Sequence, residues 1–349
     1  MGTPSLQPVA GTPAEVAGLL SPWLAASAEP EPLVVRTSGS SGRPKDVVLS
    51  RRAVTSSAHA THARLGGPGR WLLDLPVSAV AGLQVLVRSL LAGTDPVVAA
   101  DHPDLASAVA ALGSGGGRAY ASLVPTQVHR LVRDGRIGAL ASLDALLVGG
   151  AGMPVRLRHA CAEAGVRVVR TYGMSETAGG CVYDGVPLDG VALRIDADRG
   201  VHLAGPVLFD GYGGDAARTA AVLRDGWFAT DDLGELDDDG LLRVLGRSDD
   251  VVVSGGVNVS LPAVTEALLA ADDVVDALAV GVPDDEWGTR VVACVVGTAP
   301  LPALRDAVEA AGLPRTWGPR AVVVLDALPL LPGGKTDRVA LRTLAGGAG

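Results

Sequence analysis

Apolar and polar positions alternate along this chain in a way that predicts short buried strands separated by helices. Thr12-Pro13-Ala14-Glu15 combines an N-cap, a proline at the first helical position and a capping-box glutamate, which predicts a helix from residue 13 to about residue 26. The apolar run over residues 33–37 predicts a strand. The most apolar region, Trp71–Gly93, is interrupted by charged residues and a proline, which favours a buried helix over a membrane span.

The middle of the chain predicts a βαβ unit. Residues 143–148 have the pattern of a buried strand that ends in Gly149-Gly150-Ala151, residues 154–164 that of a helix, and residues 166–170 that of the next strand. Open α/β sheets bind ligands at the carboxyl ends of parallel strands. We therefore expect Gly149-Gly150-Ala151 and Thr171-Tyr172-Gly173 to be loops that lie together at this edge.

The pattern changes after Leu236. Residues 237–240 predict a turn, and beyond them short strands alternate with helices: strands over 251–254, 274–282, 290–296 and 321–325, and helices over 262–270 and 302–311. The sequence thus predicts an α/β protein. Its large N-terminal domain, residues 1–246, would consist of mostly parallel sheets with packed helices, followed by a small α+β domain over residues 247–349.

Charge and cysteine content exclude some classes of partner. The net charge of −9 and the pI near 5.1 argue against a nucleic-acid partner and against insertion into, or adsorption on, an anionic membrane. The three cysteines lie far apart without metal-ligand spacing, which suits a reducing cytoplasm. The sequence does not determine the oligomeric state, and a homo-oligomer is one of the alternatives.

Lysine is rare in this chain, since only Lys45 and Lys335 occur among 29 basic side chains. Each closes a glycine-containing segment, TSGSSGRPK over residues 37–45 and PGGK over residues 332–335. Hydroxyls and backbone N–H groups in the first segment can surround phosphate oxygens while Lys45 adds charge. The segment is not a Walker A loop, because two residues separate its last glycine from the lysine. It predicts a phosphate-handling enzyme; a Ser/Gly-rich surface turn is the alternative.

Two further segments carry candidate chemistry. Residues 171–177, TYGMSET, offer an aromatic face, a glycine, a hydroxyl and a carboxylate, which suit purine stacking and Mg²⁺ beside a phosphate. Residues 227–234, WFATDDLG, supply a carboxylate suited to two ribose hydroxyls. Taken singly, the first is equally typical of a strand-end turn and the second of an acidic turn.

The order of these segments resembles that of the adenylate-forming superfamily, which contains acyl- and aryl-CoA synthetases, luciferases and peptide-synthetase adenylation domains. Five segments match between residues 33 and 338: TSGSSGRPK, TYGMSET, WFATDDLG, GRSDDVVVSGGVNV and PLLPGGK. The resemblance implies an enzyme that uses ATP and Mg²⁺ to adenylate a small carboxylic acid and then transfers the acyl group to CoA. It also implies that the small domain is a mobile lid.

The resemblance assigns roles to the matching positions. Lys335, Glu176 and Lys45 would be catalytic, with Glu176 as the Mg²⁺ ligand and Lys335 bridging carboxylate and phosphate. Asp249 would be the hinge, and Gly255 and Gly256 would bind CoA. The ATP-binding residues would be Thr37, Ser38, Gly39, Ser40, Ser41, Gly42, Lys45, Gly149, Gly150, Ala151, Tyr172, Gly173, Met174, Ser175, Asp232 and Arg247. The acyl-binding residues would be Val124, Gly149, Gly173, Thr177 and Ala178.

Within the superfamily, residues 122–127, 147–151 and 177–185, together with the length of the chain, resemble the short actinobacterial o-succinylbenzoyl-CoA synthetases of menaquinone biosynthesis. This implies o-succinylbenzoate as the acid. The alternatives are another aryl- or acyl-CoA synthetase, an adenylation domain that loads a carrier protein, and a non-catalytic nucleotide-binding relative. The lysines, Glu176 and Asp232 argue against the last of these.

Three positions depart from the family pattern. Residues 75–82, LPVSAVAG, lack the histidine or aromatic residue that often gates this segment, which leaves the shape of the acyl site and the entry of CoA open. Asp231 stands where the family usually has glycine, and Ser175 where it usually has threonine. Ser175 keeps the hydroxyl, and Asp232 is retained beside Asp231.

Overall fold

A computed structural model describes residues 8–37, 44–331 and 336–347, except for the side chain of Asp249. Lys335 and the loop residues Ser38, Gly39, Ser40, Ser41 and Gly42 lie outside this range. The helices up to residue 190 are α1 (Pro13–Ala25), α2 (Arg51–Leu65), α3 (Val80–Leu91), α4 (Leu105–Gly113), α5 (Pro125–Arg133) and α6 (Val155–Glu163). The strands are β1 (Leu33–Thr37), β2 (Lys45–Leu49), β3 (Arg70–Leu73), β4 (Val97–Val98), β5 (Ala119–Leu123), β6 (Ala145–Gly149), β7 (Val168–Met174), β8 (Gly179–Tyr183) and β9 (Val186–Pro187).

The remaining strands are β10 (Ala192–Ile195), β11 (Gly200–Ala204), β12 (Gly211–Tyr212), β13 (Leu223–Arg224), β14 (Trp227–Leu236), β15 (Leu242–Arg247), β16 (Val251–Ser254), β17 (Val257–Ser260), β18 (Val274–Asp284), β19 (Gly288–Gly297) and β20 (Ala321–Val324). The remaining helices are α7 (Ala216–Val222), α8 (Leu261–Leu269), α9 (Leu301–Ala310) and α10 (Arg338–Gly346). Short 3₁₀ turns include Ser175–Thr177 and Ser248–Asp250.

A seven-stranded sheet, in the order β4-β3-β5-β6-β7-β8-β9, forms the centre of the first part of the chain. Its strands are parallel from β4 to β7, and β8 and β9 add to the edge in antiparallel pairing. One face packs against α4, α5 and α6 through an aliphatic cluster that includes Leu72, Leu146 and Leu157. Helix α3 contacts β3, β5 and β8, and helix α2 contacts β8. Alternate side chains of these strands point to the other face of the sheet, where the two helices lie.

The described chain divides into two compact units. The first takes in the chain up to Arg194, then His202–Thr230 and Asp237–Leu242; the second takes in Ile195–Val201, Asp231–Leu236 and the chain from Arg243 onward. The second unit contains the sheet β17-β16-β19-β18, with β20 on β19. Aliphatic side chains of α8 and α9 pack on this sheet in one cluster, and those of α10 in another. The expected α/β class is confirmed, while the boundary at residues 246–247 stays a prediction.

The local expectations agree with the structure where the signal lies within a few residues. Helix α1 begins at Pro13, and its capping box is formed: the Thr12 amide donates to Glu15 Oε2 at 2.8 Å, and the Glu15 amide donates to Thr12 Oγ1 at 3.3 Å. The βαβ unit is confirmed as β6, α6 and β7. Strand β17 and helix α10 were not predicted.

Two expectations were wrong in detail. The apolar region expected to be one buried helix contains strand β3 and helix α3, because Asp74 and Pro76 separate two apolar runs. The expected loop at residues 171–173 belongs to β7, which continues to Met174 because β8 pairs with it. The mostly parallel pairing expected of the large domain holds for the seven-stranded sheet, whereas β1, β2 and β12 form an antiparallel sheet.

Candidate active site

The ends of the predicted phosphate loop are held together by a hairpin. Strands β1 and β2 are antiparallel, and Thr37 at the end of β1 is the register partner of Lys45 at the start of β2. The Thr37 hydroxyl donates to the carbonyl oxygen of Lys45 at 3.4 Å. Both side chains are half-buried. Thr37 and Lys45, the first and last residues of the predicted loop, are thus adjacent.

The edge where the parallel strands end also brings predicted residues together. Gly149, the last residue of β6, is the register partner of Thr171 on β7. A Cβ at Gly149 would lie 2.2 Å from Thr171 Oγ1, so only glycine fits there without displacing the threonine. Gly150 follows with a φ of +85°, and Ala151 is exposed. Tyr172 is half-buried on β7, where it pairs with Val182 of β8.

Residues 175–178 form a tight connection between β7 and β8. The register shifts at Tyr172/Gly173, and Ala178, completely buried, takes a left-handed φ of +49°. The Thr177 hydroxyl accepts from the Met174 amide at 2.9 Å and lies 2.7 Å from the carbonyl oxygen of Gly179. Ser175 and Glu176 are buried here as well. Val124, the other predicted acyl-site residue, is buried at the N-cap of α5, and its amide donates to Gln127 Oε1 at 2.9 Å.

Gly173→Ala is expected to destabilise the first unit by about 1–3 kcal/mol, the usual range for overpacking. The added Cβ would lie 2.2 Å from the carbonyl oxygen of Gly179, and backbone on the paired strand cannot move aside as a flexible side chain can. Urea unfolding of the variant and the wild type measures the effect. Gly152→Ala is the matched control, because a Cβ at Gly152 would meet no atom within 4 Å. Equal stability of the two variants would contradict the close approach at Gly173.

Tyr212 is a site residue that the sequence analysis missed. It is 7% exposed, lies on β12, and pairs with Val47 of β2. Its hydroxyl donates to Glu176 Oε1 at 2.9 Å, and the Lys45 ammonium lies 5.4 Å from the centre of its ring. Tyr212 therefore connects the predicted phosphate lysine to the predicted Mg²⁺ ligand. The available signal was composition, since the chain has only 4 tyrosines and 2 phenylalanines, and Tyr212 lies three positions after Phe209.

Glu176 suits a magnesium ion by the chemistry of its surroundings. Its buried carboxylate forms no ion pair with any lysine or arginine among the described residues. No group of three or more potential metal ligands occurs in residues 8–37, 44–331 and 336–347. Mg²⁺ that accompanies nucleotides is held by one or two carboxylates together with phosphate oxygens and water. A single buried carboxylate, linked through Tyr212 to Lys45, fits that pattern.

A second group missed by the sequence analysis lies between α2, β3 and α3. Five buried side-chain atoms there have no hydrogen-bond partner among the described residues: Ser57 Oγ, His62 Nε2, Trp71 Nε1, Gln84 Oε1 and Arg88 Nε. We call these five residues the polar cluster. The Gln84 amide group donates to the carbonyl oxygen of Ala178 at 2.9 Å, which joins the cluster to the predicted acyl-binding residues.

Arg88 gives the polar cluster its charge. Only 3% of the residue is exposed, its guanidinium carbon lies 4.9 Å from the centre of the Trp71 ring, and no carboxylate of the described residues forms a salt bridge with it. Burial lowers the pKa of the Arg88 guanidinium, which means that the positive charge is unfavourable in the folded protein. Burial, and next the charge of Arg88, lower the pKa of His62 to about 4, so His62 is neutral at pH 7.

The predicted ribose and hinge residues lie in the second unit. Arg247 donates to Asp231 at 2.8 Å, so the structure pairs the arginine with the aspartate that departs from the family pattern. Asp232, expected to hold the ribose with Arg247, is half-buried on β14. Asp249 lies in the 3₁₀ turn Ser248–Asp250, beside Asp250, whose buried carboxylate is paired with Arg338.

The predicted CoA-binding glycines form the turn between β16 and β17. Gly255 and Gly256 have φ values of +58° and +79°, which glycine adopts without strain. The Gly255 amide donates to the carbonyl oxygen of Trp287 at 3.0 Å, and a Cβ at Gly255 would lie 2.7 Å from the Trp287 ring. The Arg320 guanidinium lies 3.9 Å from the centre of that ring. The turn is thus fixed against an aromatic side chain.

Comparison with known proteins identifies the class. Residues 28–209 match the family model of AMP-binding enzymes, and residues 263–335 match that of the AMP-binding enzyme C-terminal domain. The chain belongs to the AMP-binding enzyme family, whose members are adenylate-forming enzymes. Across the described residues, no helix has both the length and the apolar character needed to span a membrane.

Individual relatives and solved structures show which members of the family the chain is similar to. The chain is 48% identical over 331 residues to a probable 2-succinylbenzoate–CoA ligase of Mycobacterium tuberculosis, covering 90% of this chain and 85% of the relative. It is 29% identical over 350 residues to the 2-succinylbenzoate–CoA ligase of Listeria monocytogenes, covering 96% and 74% of the two chains. The o-succinylbenzoate CoA synthetase (MenE) of Bacillus subtilis, solved with its acyl-adenylate intermediate, superimposes with a TM-score of 0.77 at 28% identity, covering 89% of this chain and 68% of that one. The same enzyme has been solved with ATP and a magnesium ion, with a TM-score of 0.76.

Proposed function

We propose that this protein is a 2-succinylbenzoate–CoA ligase that acts in menaquinone biosynthesis. The observation that carries the substrate is Arg88, a buried cation without an acid partner among the described residues. The named substrate of the relatives has two carboxylates, one on the ring and one on the succinyl chain. One carboxylate is activated, and the other is free to pair with Arg88. A monocarboxylic acid has no second carboxylate to pair with Arg88, so it would lack this favourable interaction.

In the first half-reaction, one carboxylate of the acid attacks the α-phosphorus of ATP. A bond forms between carboxylate oxygen and phosphorus, and the bond to pyrophosphate breaks. In this proposal the Lys45 ammonium and the loop over residues 38–43 stabilise charge on the departing pyrophosphate. Lys335, on the small domain over residues 247–349, holds the carboxylate and the α-phosphate together, and Asp232 and Arg247 hold the ribose. Orienting two anions that repel one another is worth up to roughly 7–11 kcal/mol in favourable cases.

Mg²⁺, when bound at Glu176, would supply positive charge beside the phosphates. In the second half-reaction, the thiol of CoA attacks the acyl carbon and gives up its proton to water, the carbon–sulfur bond forms, and AMP leaves with the electron pair of the broken carbon–oxygen bond. In the proposal, the small domain turns about Asp249 between the two half-reactions and brings Gly255 and Gly256 to the pantetheine of CoA. We place the reaction in the cytoplasm, which agrees with three free, buried cysteines.

A panel of acids tests the proposal. Purified protein is assayed for pyrophosphate release with ATP, Mg²⁺ and one acid at a time, with and without CoA, and the thioester is identified by mass spectrometry. We expect kcat/KM for 2-succinylbenzoate to exceed that for benzoate and for palmitate by at least about 10²-fold, because only the first can pair with Arg88 without leaving a buried charge unmatched.

The outcomes separate the alternatives. A kcat/KM for benzoate equal to that for 2-succinylbenzoate would identify a general aryl-CoA synthetase and would contradict the role proposed for Arg88. Pyrophosphate release without any thioester would favour an adenylation domain that loads a carrier protein. If no acid of the panel causes pyrophosphate release, the protein is a nucleotide-binding relative without this activity.

A further inference from the structure

Tyr212 lies in the three-stranded sheet β1-β2-β12 and contacts two charged side chains, Lys45 and Glu176. Strand β12 adds to the sheet formed by β1 and β2, and Tyr212 N donates to Thr219 Oγ1 at 2.9 Å, which fixes the backbone. The ring packs edge-on against Phe209, with 5.0 Å between ring centres. In this position the Tyr212 hydroxyl is directed at Glu176.

The hydroxyl contacts one oxygen of the Glu176 carboxylate. Tyr212 donates to Oε1 at 2.9 Å, and the Glu176 backbone carbonyl accepts from the Phe209 amide, also at 2.9 Å. The segment that carries Glu176 is thereby attached at two points to the segment that carries Tyr212. A hydrogen bond to a charged group is stronger than one between neutral groups, and it favours one orientation of the carboxylate.

The ring of the same tyrosine contacts two cations. Lys45 Nζ lies 5.4 Å, and the Arg218 guanidinium carbon 5.2 Å, from the ring centre. Cations at this distance from an aromatic face are attracted by the negative charge of its π-system. Tyr212 thus contacts Lys45 with its ring and Glu176 with its hydroxyl.

We propose that Tyr212 is a positioning residue of the adenylation site: its hydroxyl orients the Glu176 carboxylate so that Oε2 is presented to the divalent cation bound with ATP. The inference rests on the proposed function, because it needs Glu176 to be the carboxylate that contacts this cation. It goes further in assigning a role to Tyr212, which touches neither substrate nor metal and acts through Glu176. The ring, acting on Lys45, is a separate contribution that phenylalanine would keep.

Tyr212→Phe tests the assignment by metal binding rather than by activity. Mn²⁺ serves as the probe, because free Mn²⁺ is counted directly by electron paramagnetic resonance. The dissociation constant of Mn²⁺ is measured on the full chain with saturating α,β-methylene-ATP and no acid substrate. The affinity for the same nucleotide in EDTA is measured by calorimetry. We expect Mn²⁺ to bind about tenfold more weakly to Tyr212→Phe than to the wild type. This factor is the lower end of the range for losing a hydrogen bond to a charged group. The affinity for the nucleotide in EDTA should be unchanged.

Two further variants make the result decisive. Tyr120→Phe also removes a buried hydroxyl, but this one lies 3.2 Å from the carbonyl oxygen of Leu65 and 3.0 Å from that of Gly67, not on Glu176, so the variant should leave Mn²⁺ affinity unchanged. Glu176→Gln should weaken Mn²⁺ at least as much as Tyr212→Phe. Wild-type Mn²⁺ affinity in Tyr212→Phe, with a loss in Glu176→Gln, would overturn the role of Tyr212 and leave the proposed function intact.

Two other results would also count against the assignment. If Glu176→Gln binds Mn²⁺ like the wild type, Glu176 is not the metal ligand, and the proposed site fails together with this inference. If Tyr212→Phe weakens nucleotide binding in EDTA as much as it weakens Mn²⁺ binding, Tyr212 acts through general packing. Circular dichroism and thermal melting of each variant establish that the comparison is made on folded protein.

Discussion

Arg88→Met is expected to lower kcat/KM for 2-succinylbenzoate by about 10²- to 10³-fold, the range for removing one partner of a buried charge pair. Methionine fills a similar volume without charge, so the second carboxylate of the substrate would enter the polar cluster with nothing to neutralise it. The same variant should lower kcat/KM for benzoate little or not at all, because benzoate has no second carboxylate. Steady-state pyrophosphate release with each acid measures both values.

Stability should change in the opposite direction. In the free protein the Arg88 charge is buried without an acid partner among the described residues, and burial of an unpaired ion costs several kcal/mol. The contact with the Trp71 ring returns only about 1–2 kcal/mol of this. We therefore expect the free energy of unfolding of Arg88→Met to rise by about 1–3 kcal/mol. Arg88→Lys keeps the charge and should keep much of the preference for the dicarboxylic acid. A variant that loses activity and stability together would indicate that Arg88 is a structural residue.

Lys335→Ala should slow adenylation by about 10²- to 10³-fold, the scale for losing one donor to a transition state. In the proposed mechanism the ammonium holds the attacking carboxylate against the α-phosphate, and no other lysine besides Lys45 is present in the chain to replace it. ATP–pyrophosphate exchange driven by 2-succinylbenzoate measures this half-reaction. Lys335→Arg should recover little, because a planar guanidinium does not reproduce a compact, mobile ammonium.

The second half-reaction is the internal control for Lys335. Isolated acyl-adenylate mixed with CoA should give thioester at the wild-type rate in Lys335→Ala, because the lysine is needed only while the carboxylate and phosphate are joined. Equal slowing of both half-reactions would contradict a role confined to adenylation. Slowing of the second alone would assign Lys335 to thioester formation.

Several features of the protein follow from the sequence alone. The N-terminal helix, the βαβ unit and most elements of the second unit were predicted correctly, because caps, turns and hydrophobic periodicity act between residues a few positions apart. The order of five glycine-rich and acidic segments was enough to predict the family to which the chain belongs. The roles of the individual site residues stay predictions.

Only the tertiary structure decided which distant side chains meet. Residues 171–173 are strand rather than loop because β8 returns to pair with them, and Arg247 contacts Asp231 at 2.8 Å. Tyr212 reaches Glu176 across 36 positions of sequence, and α2, β3 and α3 together bury Arg88 without an acid partner among the described residues. Local patterns contain no information on such contacts, because they depend on how sheets and helices pack. A buried charge or a shared hydrogen bond exists only once that packing has formed.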